Sequence, residues 1–346
     1  MTTPTKMLAS LAVLPALLVA SPAMAQVQTS VSGLLYTDFS VPTDGRASGV
    51  NVTRAFLTGK AKFSDVWSGS ITYNAYPQVF ARMNNATPPA PAAATEPSDA
   101  LLHNAFIQAT NLVPNITLQM GMLTNPWFEF EMGFFGYRML GFHHFPVFSN
   151  GYIQAFDLGA KAFGQVGPIG YFAQMDNGTG FRATENNGLK AYTAGVHVTP
   201  LSGLTFAAFG HRADNITLSQ ADRYALFAGY RTSGFRVAAE GTRMVDNPVA
   251  TGVTSTGQIL SAYTVIGLPV PALPAPELVA RVDMVTRTLG VAPTATTPET
   301  LQGLVGLSFK PAPGITVVLD DQISQDTVGT TQTTKNTVAL HTQVAF

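Results

Sequence analysis

From residue 28 to the terminal Phe346, apolar and polar residues alternate in segments of about ten, each closed by turn residues. Only a β-strand sends successive side chains to opposite faces, so this period of two commits the chain to sheet. Residues 50–63 show it most clearly: Arg54, Thr58, Lys60 and Lys62 share one face, and Ala55, Leu57, Gly59, Ala61 and Phe63 the other. Over 68–80, Ile71, Tyr73 and Ala75 likewise oppose Thr72, Asn74 and Tyr76.

Sixteen such segments can be marked: 28–41, 50–63, 68–80, 101–111, 116–124, 152–164, 169–177 and 188–199, then 204–212, 221–232, 235–244, 257–268, 277–287, 300–310, 315–324 and 335–346. The connections alternate in length. Short turns follow the even segments, Ser233-Gly234 being the tightest, and longer polar loops follow the odd ones. An open soluble sheet or sandwich has no reason to sort its loops by edge, whereas an even-stranded membrane barrel has short turns on one rim and long loops on the other. The alternation therefore predicts an all-β fold, a 16-stranded antiparallel transmembrane β-barrel. Only 11% of residues are charged while 46% are hydrophobic, against roughly 25% charged in soluble domains. Lipid contact along half of every strand accounts for that deficit.

The first residues carry a different signal. Lys6, an apolar run over 7–20 and Ala23-Met24-Ala25 form a signal peptide with its cleavage site, so the expected division is a cleaved leader over 1–25 and a barrel domain over 26–346. No later stretch is long and apolar enough for a spanning helix. The last strand ends on Phe346 with Val338, Leu340, Thr342 and Val344 on its face, which looks like the terminal recognition signal of bacterial outer-membrane barrels. The expected location is thus the bacterial outer membrane.

One stretch breaks the alternation. Residues 125–151, NPWFEFEMGFFGYRMLGFHHFPVFSNG, follow the fifth strand and hold no period of two. They are expected to fold into the barrel as its long third extracellular loop. Phe130, Phe134 and Arg138 are four apart, so a short helix would align them. The candidate constriction residues are Glu129, Glu131, Tyr137 and Arg138. The aromatics read first as packing that glues the loop to the wall.

Short motifs carry a resemblance. Val52-Thr53-Arg54-Ala55-Phe56-Leu57 running to Phe63-Ser64-Asp65, the stretch 121–126 leading into Tyr137-Arg138, and Asp157-Leu158-Gly159 followed by Gly167-Pro168 and Asp176-Asn177-Gly178 resemble the bacterial general-porin superfamily, most closely the phosphate-selective porin O and P type. The resemblance implies a sixteen-stranded barrel, a homotrimer, and a third outer loop that narrows the lumen. Phosphate-selective members use lysines at the constriction. This loop has no lysine and offers Arg138 beside Glu129 and Glu131.

A sixteen-stranded barrel is wide enough for water, so the charges on its inner face matter. Alternation places Arg54, Lys60, Lys62, Lys161, Arg223, Arg231, Arg236 and Arg281 inward as pore-lining cations, with Lys190, Arg287, Lys310 and Lys335. Asp157, Asp176, Glu240, Asp283 and Asp320 stand against them, Asp283 within reach of Arg281 on the same face. Avoidance of lipid explains why charges turn inward. It does not explain the excess of positive ones, which would favour anions.

Other functions find little support. Net charge is −1, without the basic footprint of a nucleic-acid binder. There are no cysteines, His143 and His144 are adjacent rather than at ligand spacing, and no phosphate-binding loop, dinucleotide fingerprint or nucleophile elbow occurs. No catalytic residue, metal or cofactor is expected. Phe63, Trp67, Phe163, Tyr171, Phe235 and Phe346 fall at the short-turn ends and read as an interfacial girdle.

The sequence therefore points to a non-enzymatic porin, a passive channel for small hydrophilic solutes with a modest preference for anions, in contact with outer-membrane lipid and lipopolysaccharide. Two rivals are a plugged barrel with a structural or adhesive role, and a barrel enzyme such as an outer-membrane phospholipase. The expected inward placement of His197 and His341 argues against the second.

Overall fold

Each alternating segment becomes one strand. The computed structural model describes residues 27–75, 100–141, 144–180, 185, 188–214, 218–248, 254–270, 274–288 and 299–346. The leader over 1–25 and the Ala/Pro-rich loop over 82–99 lie outside them. The strands are β1 (Gln28–Pro42), β2 (Gly49–Lys62), β3 (Trp67–Ala75), β4 (Ala100–Val113), β5 (Ile116–Thr124), β6 (Phe156–Val166), β7 (Ile169–Asp176) and β8 (Ala191–Leu201). They continue with β9 (Leu204–Ala213), β10 (Leu218–Arg231), β11 (Phe235–Pro248), β12 (Ser255–Gly267), β13 (Glu277–Thr288), β14 (Glu299–Ala312), β15 (Ile315–Val328) and β16 (Thr331–Ala345).

Every strand pairs antiparallel with its neighbours in sequence, and β1 pairs β16 from Leu34↔Ala345 to Pro42↔Thr337, closing the barrel. Closure leaves no edge, so each backbone group finds a partner without water. Phe346 completes the seam. Its amide donates to Gly33 O at 3.0 Å, and the Gly33 amide returns a bond of 2.7 Å to Phe346 O.

Register sets which face is wet. On β2, Arg54, Phe56, Lys60 and Lys62 turn inward while Leu57 is exposed on the outer wall. Outward aromatics form two bands. Phe63, Trp67, Phe206 and Tyr230 lie toward the short turns, and Phe39, Tyr73, Tyr192 and Tyr224 toward the long loops. Phe163 is an exception to the expected girdle. It shares the parity of Lys161, whose ammonium sits 5.3 Å from its ring, so it faces the lumen.

The sixth strand starts later than alternation suggests, at Phe156 rather than 152. Residues 152–155 belong to the loop: the Tyr152 and Ile153 amides donate to Val147 O, and Ile153 is buried. The hydrophobic core of this molecule lies inside the barrel, where that loop meets the inner wall.

Candidate functional site: a half-filled lumen

The loop between β5 and β6 folds because it has good helix ends. Asn125 is extended (φ −60°, ψ 128°) and its side chain accepts from the Trp127 amide at 3.0 Å. Pro126 stands at the first turn, where its missing N–H costs nothing. The helix α1 (Pro126–Phe135) stops at Gly136, left-handed at φ 80°, whose amide donates to Met132 O. A 3-10 turn (Arg138–Leu140) and a one-turn helix α2 (Pro146–Ser149) complete the loop.

Because α1 ends at Gly136, Arg138 leaves the expected stripe of Phe130, Phe134 and Arg138. Phe130 and Phe134 stay together, 6.3 Å apart, and each packs on Phe227 of β10. Trp127 stacks on Phe209 at 5.2 Å, Phe135 meets Tyr263 at 4.9 Å, and both are fully buried, as are Phe128, Leu140 and Phe145. Gly229 makes room, since a Cβ there would come within 2.5 Å of the Phe134 ring. The aromatics are packing, as the sequence suggests. They fill the lumen against β7 to β14 with a dry core.

The wall cations expected to line the pore divide into two groups. Arg231 donates to Gly133 O at 2.7 Å and to Phe134 O, and Arg236 donates to Phe135 O at 3.0 Å. They meet the last carbonyls of α1, which have no partner within the helix and carry its negative dipole end. The last turn of α1 has no basic residue of its own. The barrel supplies the cap.

Lys161 reaches the other end, pairing with Glu129 in the first turn at 2.8 Å. Arg281 holds Asp283 through two bonds of 2.8 Å beneath the rings of Phe135 and Tyr263. Arg223 and Arg287 share Asp246 and both lie against the Tyr152 ring. Glu277 ties Arg236, Lys310 and the Tyr137 hydroxyl together. Lys161, Arg223 and Arg281 therefore face inward but are buried beneath the loop, while Arg231 and Arg236, at the end of α1, stay partly exposed. Lys190 is not on the wall; it pairs with Glu185 in the loop before β8. Lys335 stands at the long-loop end of β16, 4.0 Å from Asp326.

The remaining cations border open space. A cavity of about 380 Å³ is lined by Tyr36, Asp38, Arg54, Arg138, Gln322 and His341 among others, between the loop and β1, β2, β15 and β16. A second, of about 570 Å³, lies nearer the short turns along β1 to β4 and is lined by Ser30, Lys60, Lys62, Asp65, Ser70 and Gln108 among others. Arg138 bridges the two regimes. Its guanidinium lies 5.3–5.6 Å from the rings of Phe56, Phe128 and Phe156 while it borders the upper cavity.

Of the four constriction candidates, Arg138 borders the open cavity and Glu129 is half exposed beside Lys161. Glu131 and Tyr137 are buried at the loop–wall seam, contrary to an eyelet role, because α1 turns that face onto β11 to β13. Burial, and secondarily the facing Glu240, pushes the Glu131 carboxyl well above its ordinary 4.5. Alternation points to Asp38, Gln322 and His341 as further inner-wall residues, and only the placement of the loop singles them out. His197 faces the lumen against Phe130, and His341 lies 3.2 Å from Asp320. Among the described residues no cluster of three or more metal-ligating side chains forms.

With that geometry in view, comparison with solved structures is informative. OmpT of Vibrio cholerae superposes with a TM-score of 0.65 at 11% identity, over 95% of this chain and 99% of that one. An anion-selective porin from Comamonas acidovorans gives 0.63 at 9% identity over 93% and 100%. The outer-membrane channel DcaP of Acinetobacter baumannii gives 0.62 at 11% over 92% and 97%. The fold is that of a porin-like outer-membrane barrel. No protein-family model and no curated protein matches the chain in sequence.

Proposed function

We propose that this barrel is a passive outer-membrane channel for small hydrophilic solutes, with a modest preference for anions and no catalytic step. The observation that carries this reading is the pair of polar cavities stacked along β1 and β2, beside a loop that packs the opposite half. Solutes would pass through the polar half. Its lining holds four cations, Arg54, Lys60, Lys62 and Arg138, against two carboxylates, Asp38 and Asp65. Asp65 pairs with Lys62 at 2.8 Å, and the remaining field favours anions.

Within the porin superfamily, the phosphate-selective type is the finer reading of the sequence. Lys161, the lysine nearest the loop, is engaged by Glu129. The reading adopted is therefore a general anion preference. A cleaved leader over 1–25, contact with lipopolysaccharide and assembly as a homotrimer belong to the same proposal; one form of the V. cholerae OmpT structure is a trimer.

The dry loop core also favours the plugged, structural barrel. One experiment separates the two. The mature protein, refolded into a planar bilayer, should give stable conductance steps, with an anion-biased reversal potential across a salt gradient. A folded, inserted barrel without conductance would establish the plugged reading instead. Cation bias would keep the channel and overturn the charge assignment. Lipid hydrolysis by the same preparation would overturn the non-enzymatic reading.

A further inference from the structure

The long-loop rim, where β6 begins and β7 ends, holds two acids that the channel reading does not use. Asp157 and Asp176 turn inward with exposures of only 2% and 3%, and their carboxyls lie within hydrogen-bonding reach of each other. Gly159, opposite Asp176 in the register, leaves room for that approach, since a Cβ there would come within 2.9 Å of the Asp176 Cβ. Backbone amides point at both acids. Asp157 accepts from the Leu158 amide at 2.7 Å and the Gly180 amide at 3.0 Å, and Asp176 accepts from the Gly178 amide at 3.0 Å. Such bonds favour the ionised form, so at neutral pH two like charges meet out of water. Neither acid enters an ion pair among the described residues, and Lys161, the inward cation of β6, belongs to Glu129. Glu185, itself held by Lys190, adds to the negative potential at Asp157. Buried carboxylates without a counter-charge are costly.

A second observation points to what offsets that cost. Gln174 is 4% exposed and turns its amide to Asp176, Nε2 donating to Oδ2 at 2.8 Å, while its Oε1 finds no partner. The buried Thr179 Oγ1, between the two glycines whose amides serve the acids, finds none either. We infer that Asp157 and Asp176, with the Gln174 carbonyl and the Thr179 hydroxyl, bind a divalent cation of the calcium class. The donors are all oxygen, two charged and two neutral, which suits a hard cation. Their irregular placement on two strands and a turn suits calcium better than magnesium, which demands a near-ideal octahedron. An ion there joins the turn after β7 to the start of β6. That is where the internal loop re-enters the wall, the Asn125 amide donating to Ala155 O at 2.8 Å, so the ion fastens the exit of the loop.

Titration calorimetry on the refolded mature barrel, stripped with EDTA, should detect calcium binding, with magnesium bound more weakly. Asp157→Asn/Asp176→Asn should abolish the binding in a barrel that keeps its sheet by circular dichroism. Gln174→Ala keeps both carboxylates and should weaken calcium about tenfold; it carries the test should the double variant fail to fold. Calcium should also raise the unfolding temperature of the parent and leave that of the double variant unmoved. A parent that binds no calcium, or undiminished binding in the variants, would overturn the site. So would a barrel stabilised by acid and indifferent to calcium, the behaviour of two carboxyls that share a proton. These readouts are binding and stability, so they stand apart from whether the barrel conducts.

Discussion

The two halves of the lumen are built from the same alternating strands and use the same residue types to opposite ends. Against β7 to β14, arginines lie under aromatic rings, paired with acids or capping a helix. Against β15, β16 and β1 to β4, cations border cavities lined with serine, threonine and glutamine. A charge on a barrel wall is therefore not in itself a selectivity element. What covers it decides whether it acts on a passing solute or holds a loop in place.

Breaking the packed half should have the largest effect. Trp127→Ala removes a fully buried indole stacked on Phe209 and should cost the docked loop about 3–5 kcal/mol. Single-channel conductance should rise severalfold, and an unchanged conductance would mean that the loop does not limit the pore. Arg281→Ala leaves Asp283 buried without its partner, a loss of about 3–5 kcal/mol. Thermal stability should fall, whereas the reversal potential should stay near that of the parent.

Arg236→Ala removes a charged donor from the end of α1, worth about 1.5–3 kcal/mol. Protease should then cut the loop faster in the folded barrel. In the open half, Arg54→Ala should leave stability nearly unchanged and move the reversal potential toward cations; Arg138→Ala should move it the same way while also loosening the loop, because its guanidinium lies against three rings. A shift from Arg281→Ala larger than theirs would erase the distinction between the halves.

The smallest effect concerns pH. The docked loop raises the Glu131 carboxyl, so docking binds a proton that the free loop would release. The Glu131 contribution is complete in acid and declines as pH rises above the ordinary 4.5. Loop proteolysis should therefore accelerate with rising pH, and Glu131→Gln should flatten that dependence.

Much of this molecule is legible in one dimension. Strand count, barrel closure, the inward placement of most wall charges and the internal loop follow from a period of two and the sorting of loop lengths, because lipid on one side and a polar lumen on the other impose the pattern locally. The helix ends have local causes that the four-residue spacing of Phe130, Phe134 and Arg138 leaves out: Asn125-Pro126 opens α1 and Gly136 closes it before Arg138. What alternation cannot say is where across a wide barrel the loop comes to rest. That choice rests on contacts between residues far apart in the chain, such as Trp127 on Phe209, Arg231 on the end of α1 and Tyr137 on Glu277. The sequence by itself determined a barrel with a cationic wall and an aromatic loop inside it. Only the tertiary structure decided which of those cations meet water, because covering a charge depends on packing that no local pattern records.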